Sequence, residues 1–263
     1  MVCAMRIAMP NICIFCPNTV NSREDVFPKW IHKRKEFGPL NFTRGDGVMT
    51  VIPDPKVKAR LVCDRCNSGW MSRLEGRNIP IISCMMQDLS ITLDREQQGH
   101  LIAWCTKMAF INDWTRTGGR EKKFYTRDET LAFAKDLTIP VGTRIWIGYL
   151  TTSHLSRDGH DFELLRAGDG AVVGTSSVTT LVVGHFVAQI TTDHILPEFE
   201  NLDPRIEPKP GPWETKLLQI WPIEKDWITW PPKSSFMNGG GPEGVGHLFH
   251  RWRRGPKATR QIL

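Results

Sequence analysis

The sequence lacks any apolar run close to the ~20 residues that a membrane-spanning helix needs. Residues 1–10 carry Arg6 as their one charge and hold no apolar stretch of signal-peptide length. The expectation is therefore a cytoplasmic protein with no membrane partner, in a compartment where thiols stay reduced. There is no internal repeat and no extended low-complexity tract, which argues against solenoid arrays and disordered tails. A strong charge of one sign is missing too. The net charge is +6, and it is uneven: residues 1–99 hold 14 Lys+Arg against 10 Asp+Glu, residues 100–200 hold 10 against 12, and residues 201–263 hold 10 against 6. The two ends could face a polyanion while the middle does not. With 263 residues, 40% hydrophobic and 24% charged, the chain forms one large domain or two smaller ones and can bury a sizeable core.

Cysteine is present in a pattern. Of seven cysteines, four form two pairs of identical internal spacing, Cys13-Ile14-Phe15-Cys16 and Cys63-Asp64-Arg65-Cys66. An odd total in a long chain fits a disulfide framework poorly. Two such pairs can instead supply four thiolates to one tetrahedral Zn²⁺. The 46 residues between them leave room for a hairpin and an inserted loop. Cys105 lies in an apolar helical pattern and reads as core; Cys3 and Cys84 show no partner signal.

Along the chain, residues 24–27 read as a short strand and residues 29–36 as a helix with Pro28 at its first position. Residues 38–56, rich in Gly, Pro and Asp, read as a loop or hairpin with 48–52 strand-like. Residues 57–62 read as a strand leading into the second knuckle, and either Ser68 or Asn67 as the N-cap of the helix that follows. Residues 79–93 fit no template. The clearest helix covers 94–114, capped by Asp94, with Leu101, Trp104, Cys105, Met108 and Ile111 at spacings of three and four. A shorter helix covers 128–136. Beyond it, residues 144–151, 162–166, 171–175 and 179–191 read as strands of an antiparallel sheet. A Pro-rich linker over 200–215, short strands at 217–221 and 227–230, a glycine hinge at 238–241, a helix over 247–254 and a basic tail complete the reading.

The block from Cys13 to Glu75 resembles the HNH (His-Asn-His, ββα-metal) endonucleases. It is most similar to a bacterial group with a first knuckle, a Glu-His or Glu-Asp pair, Pro-x-Trp, and then Cys-x-x-Cys-Asn followed by Gly-Trp-Met-Ser-x-Leu-Glu. The matching residues are Cys13, Cys16, Glu24, Asp25, Pro28, Trp30, Cys63, Cys66, Asn67, Gly69, Trp70 and Glu75, about a quarter of the chain. The resemblance implies an α+β fold. A small zinc-bound ββα-metal, treble-clef-like domain would cover residues 1–93, followed over 94–263 by helices, an antiparallel sheet and the basic tail. It implies that Glu24 and Asn67 ligate a catalytic Mg²⁺ or Mn²⁺. Asp25 stands where the family's general-base histidine stands, and Lys58 where its middle asparagine usually stands.

These two departures leave alternatives. Asp25 either acts as a base with a raised pKa or serves as a third ligand, and His32 is a further candidate base. Lys29, Lys33, Arg34, Arg65 and Arg73 are candidate phosphate contacts. Two functions follow. One is a metal-dependent endonuclease hydrolysing DNA phosphodiesters, for which the resemblance suggests phage defence or a mobile element. The other is a catalytically degenerate zinc module that binds nucleic acid, or a protein partner through the C-terminal part.

Overall fold

The computed structural model describes residues 11–35, 37, 58–115, 123–166, 169–201 and 215–236, and the backbone of 40–43, 49–52 and 260–262. The fold is mixed helix and antiparallel sheet, α+β in class. The 202–214 part of the linker, the glycine hinge, the helix expected over 247–254, Cys3 and the tail before residue 260 lie outside the described residues.

The N-terminal part opens with a turn closed by a bridge between Ile12 and Thr19. Strand β1 (Glu24–Asp25), helix α1 (Lys29–Arg34), strands β2 (Leu40–Thr43) and β3 (Met49–Ile52), and strand β4 (Lys58–Ala59) follow. β1 pairs antiparallel with β4, Glu24 opposite Ala59 and Asp25 opposite Lys58. β2 and β3 form the hairpin expected in the inserted segment. Both β1 and β4 are shorter than the runs read from sequence. Pro28 has no N–H to continue a ladder, and the chain at 60–62 already turns toward the second knuckle.

The second knuckle opens helix α2 (Asp64–Cys66), which passes through a π-helical turn at 67–71 into α3 (Ser72–Met86). The expected N-cap at Ser68 or Asn67 is corrected: the helix begins earlier. The Asp64 N–H donates to Asn21 Oδ1 at 2.7 Å, so the cap comes from a residue distant in sequence. α3 also takes up part of the unassigned stretch, continuing through Pro80, whose side is exposed, to Met86. Strand β5 (Ile91–Leu93) takes the rest.

Helix α4 (Arg95–Thr115) is the centre of the molecule. Asp94 caps it reciprocally with Gln97 (2.8 and 3.1 Å), a capping-box arrangement. It is buried on nearly every side from Leu101 to Asp113, as expected of a helix enclosed by other layers. Helix α5 (Arg127–Asp136) starts at Arg127, one residue earlier than read, because Thr126 is its N-cap and forms a capping box with Glu129.

Two long strands, β6 (Arg144–Arg166) and β7 (Val172–Ile195), pair antiparallel along most of their length. The four strand segments read from sequence are thus two continuous strands. β8 (Leu217–Trp221) joins the other edge of β6, β9 (Ile228–Trp230) pairs with β5, and β10 (Arg260–Ile262) runs parallel to 164–166. One face of the sheet packs on α3 and α4. The other gathers Trp146, Leu150, Val182, Val187, Leu217 and Phe236. A single buried core extends from Cys13 and Phe15 through α4 to Trp230.

Gly184 lets β7 press on the end of α3. It has φ +67°, and a Cβ there would lie 2.8 Å from Met86 Cα. Gly170 has φ +69° but open space around it. Gly170→Ala should cost about 1–2 kcal/mol, the left-handed backbone term alone. Gly184→Ala should cost at least about 1 kcal/mol more, because packing must shift as well. Chemical denaturation midpoints of the two variants check the order.

Candidate metal centre and its surroundings

The two knuckles meet because two backbone hydrogen bonds lay their strands side by side: Ile14 N–H to Leu61 O (3.0 Å) and Ser22 N–H to Val62 O (3.2 Å). The Sγ atoms of Cys13, Cys16, Cys63 and Cys66 all lie within 4.8 Å of one another, with Cys16 and Cys63 3.4 Å apart. Four sulfurs around a zinc at ~2.3 Å stand roughly 3.8 Å apart, so the set fits that ion closely. Among the described residues no other group of three or more His, Cys, Asp or Glu converges this way. The four thiols could hold a metal ion such as zinc.

Burial pushes the Cys66 and Cys13 thiols up. Burial acts the same way on Cys63, but hydrogen bonds from the Cys66 backbone, the neighbouring thiols and Asn18 outweigh it and hold it at about 7. A cation entering the cluster would therefore displace protons.

The cluster is supported from outside. Phe15 N–H points at Cys13 Sγ (3.5 Å), and Asn18 Nδ2 at Cys63 Sγ (3.9 Å). Phe15 also packs edge-on against Trp70 (5.0 Å) within an aromatic group that includes Phe110 and Phe133. Trp70 thus serves the core. From the start of α5, the Arg127 guanidinium donates to both Cys13 O and Cys16 O. That helix end is fixed in turn by the Thr126–Glu129 cap and by His194 Nε2 on Glu129 Oε1 at 2.7 Å. Arg127 escaped the sequence reading. It lies more than a hundred residues from the knuckle, and the Thr-x-x-Glu signal marks the helix start, not its destination.

The residues expected to hold a divalent ion are placed differently. Successive residues of a strand face opposite ways. Glu24 turns inward, 6% exposed, to Lys107 Nζ at 3.2 Å. Lys107 Nζ also meets Glu75 Oε1 at 2.5 Å, and Trp30 Nε1 donates to Glu75 Oε2 at 3.2 Å. Burial is the main influence raising the Glu24 pKa. On Lys107 burial works to strip the proton, but Glu75 and Glu24 outweigh it and raise its pKa, so the ammonium is kept.

Asp25 turns the other way, with Lys58 Nζ 3.9 Å from its carboxylate. The Asn67 side chain donates to Ser22 Oγ (2.8 Å) and Arg23 O (3.4 Å), bracing the entry to β1. Among the described residues no hydrogen bond joins Glu24 to Asn67. A Mg²⁺ or Mn²⁺ ion needs about six oxygen ligands with access to water. At Glu24 that space holds an ammonium group in a buried setting, and the residues present do not fit the ion. His32 stands edge-on to Phe37 on α1.

Lys29, Lys33, Arg34, Arg65 and Arg73 are exposed and pair with no carboxylate among the described residues. Arg23 and Arg60 share this state and flank β1 and β4. Comparison with protein-family models, with curated proteins and with solved structures gives no match.

Metal analysis of the purified protein should find about one zinc per chain, lost in Cys63→Ser. Arg127→Gln should keep the fold but release zinc to a chelator about tenfold more readily, since it removes a support of two ligand residues. Unchanged release would show that Arg127 contributes only to packing.

Proposed function

We propose that the N-terminal unit is an HNH-like ββα-metal module of treble-clef type, organised by one zinc, and that it engages DNA. The observation that carries this reading is the convergence of the four thiols where the β1–β4 pair meets the helix begun by α2, in a segment that also carries exposed cations on α1, α2 and α3 and beside β1 and β4. Zinc supplies a rigid cross-link there; its four sulfur ligands leave no open position for chemistry. Exposed Lys29, Lys33, Arg34, Arg65 and Arg73, joined by Arg23 and Arg60, offer positive charge to a phosphate backbone. None of these seven side chains is spent on an acidic neighbour among the described residues, unlike Lys58, which faces Asp25.

Binding to short duplex and single-stranded DNA, followed by fluorescence anisotropy over a salt series, tests this. Affinity should fall steeply with salt, and Arg65→Gln/Arg73→Gln should lower the slope of log affinity against log salt by about two. Absence of DNA binding at low salt would refute the reading and turn attention to a protein partner.

A second reading, metal-dependent phosphodiester hydrolysis, is favoured by two oxygen groups near the strand entry. Asn67 Oδ1 has no donor among the described residues, and Asp25 meets only a distant Lys58. Under it, plasmid cutting in Mg²⁺ or Mn²⁺ would be abolished by Asn67→Ala and by Asp25→Asn. Binding without cutting leaves the first reading in place.

A further inference from the structure

The position facing Glu24, where the resemblance to metal nucleases leads one to expect a divalent ion, is taken by a side chain of this chain. We propose that Lys107 is the resident cation of the Glu24–Glu75 pair, occupying the place of a divalent ion and closing that carboxylate pair to exchangeable metal. Three elements meet at its Nζ: Glu24 from β1, Glu75 from α3 and Lys107 itself from α4. The Lys107 side chain is 0% exposed, Glu24 8% and Glu75 18%. Trp30 on α1 holds the other oxygen of Glu75, so three of the four carboxylate oxygens are engaged.

Two further features make this a closed arrangement. The ammonium is held away from water: the Lys107 side chain is fully buried on a helix that is itself buried from Leu101 to Asp113. An ion at Glu24 would have to displace a charged group with nowhere to go and bring oxygen ligands that the core does not supply. The two carboxylates also need a counter-charge in this setting, since a buried anion without one is costly. Lys107 meets that need from within the chain. It also ties the zinc-bearing segment to the central helix. Glu24 is thus a positioning residue of the fold rather than a metal ligand. The inference stands apart from the DNA reading, which rests on the outer cations.

Mn²⁺ titration of the zinc-loaded full chain, read by electron paramagnetic resonance, tests it. Wild type and Glu24→Gln should take up Mn²⁺ equally weakly. Lys107→Met removes the ammonium and leaves two carboxylates without a counter-ion. It should bind Mn²⁺ at least about tenfold more tightly than wild type, and Lys107→Met/Glu24→Gln should lose the gain. Wild-type binding that Glu24→Gln weakens would overturn the proposal. So would a folded Lys107→Met with no gain. If Lys107→Met fails to fold, the comparison of wild type with Glu24→Gln decides alone, because it needs no change at Lys107.

Discussion

Four sulfur atoms from two stretches of chain separated by 46 residues come within a few ångströms of one point, and the N-terminal half is shaped by that requirement. The first knuckle must turn back on itself, which the Ile12–Thr19 bridge achieves. The second must lie at a helix start, where Cys63 precedes the helix and Cys66 falls one turn later on the same side. Hydrogen bonds from Ile14 and Ser22 to Leu61 and Val62 then fix the two against each other. Strands β1 and β4 need only two residues each because this clamp, rather than their ladder, sets their register.

A second constraint joins this unit to the rest. The core does not stop at the knuckles: Phe15 and Trp70 pack with Phe110 of α4 and Phe133 of α5. Lys107 adds a charged tie between α4 and the two glutamates, and Arg127 a polar one between α5 and the knuckle backbone. Four converging thiols that could hold a metal ion, an ion triad and an aromatic cluster therefore lie in one small region.

What could be read from the sequence was what short spacing encodes. The two knuckles, the Asp94 cap, the three-and-four pattern of α4 and the β-branched runs of the sheet are local signals, and each element is present. The misreadings have physical reasons. β6 reads as two strands because residues 152–161 are mostly polar and include Ser-Arg-Asp-Gly, a turn-like composition, yet His154 to Asp161 pair regularly with Gly184 to Ser177. The one irregularity in this stretch lies between Tyr149 and His154, where Phe236 hydrogen-bonds to Tyr149 and Thr151. α3 was cut short because proline ordinarily ends a helix, whereas Pro80 sits on its exposed side. The cap of α2 comes from Asn21, which no local window contains. Glu24 lies on the strand read for it, but its partner Lys107 was hidden in a helix buried on nearly every side. A lone lysine in such a pattern gives no sign of which carboxylates it meets. Tertiary partners of this kind are fixed by packing, not by spacing.

The most direct test of the account is X-ray absorption at the zinc edge on the purified full chain. The account predicts a first shell of four sulfur scatterers at ~2.3 Å with no nitrogen or oxygen. A shell with fewer sulfurs, or with light-atom ligands completing it, would contradict the convergence of Cys13, Cys16, Cys63 and Cys66 on a single ion.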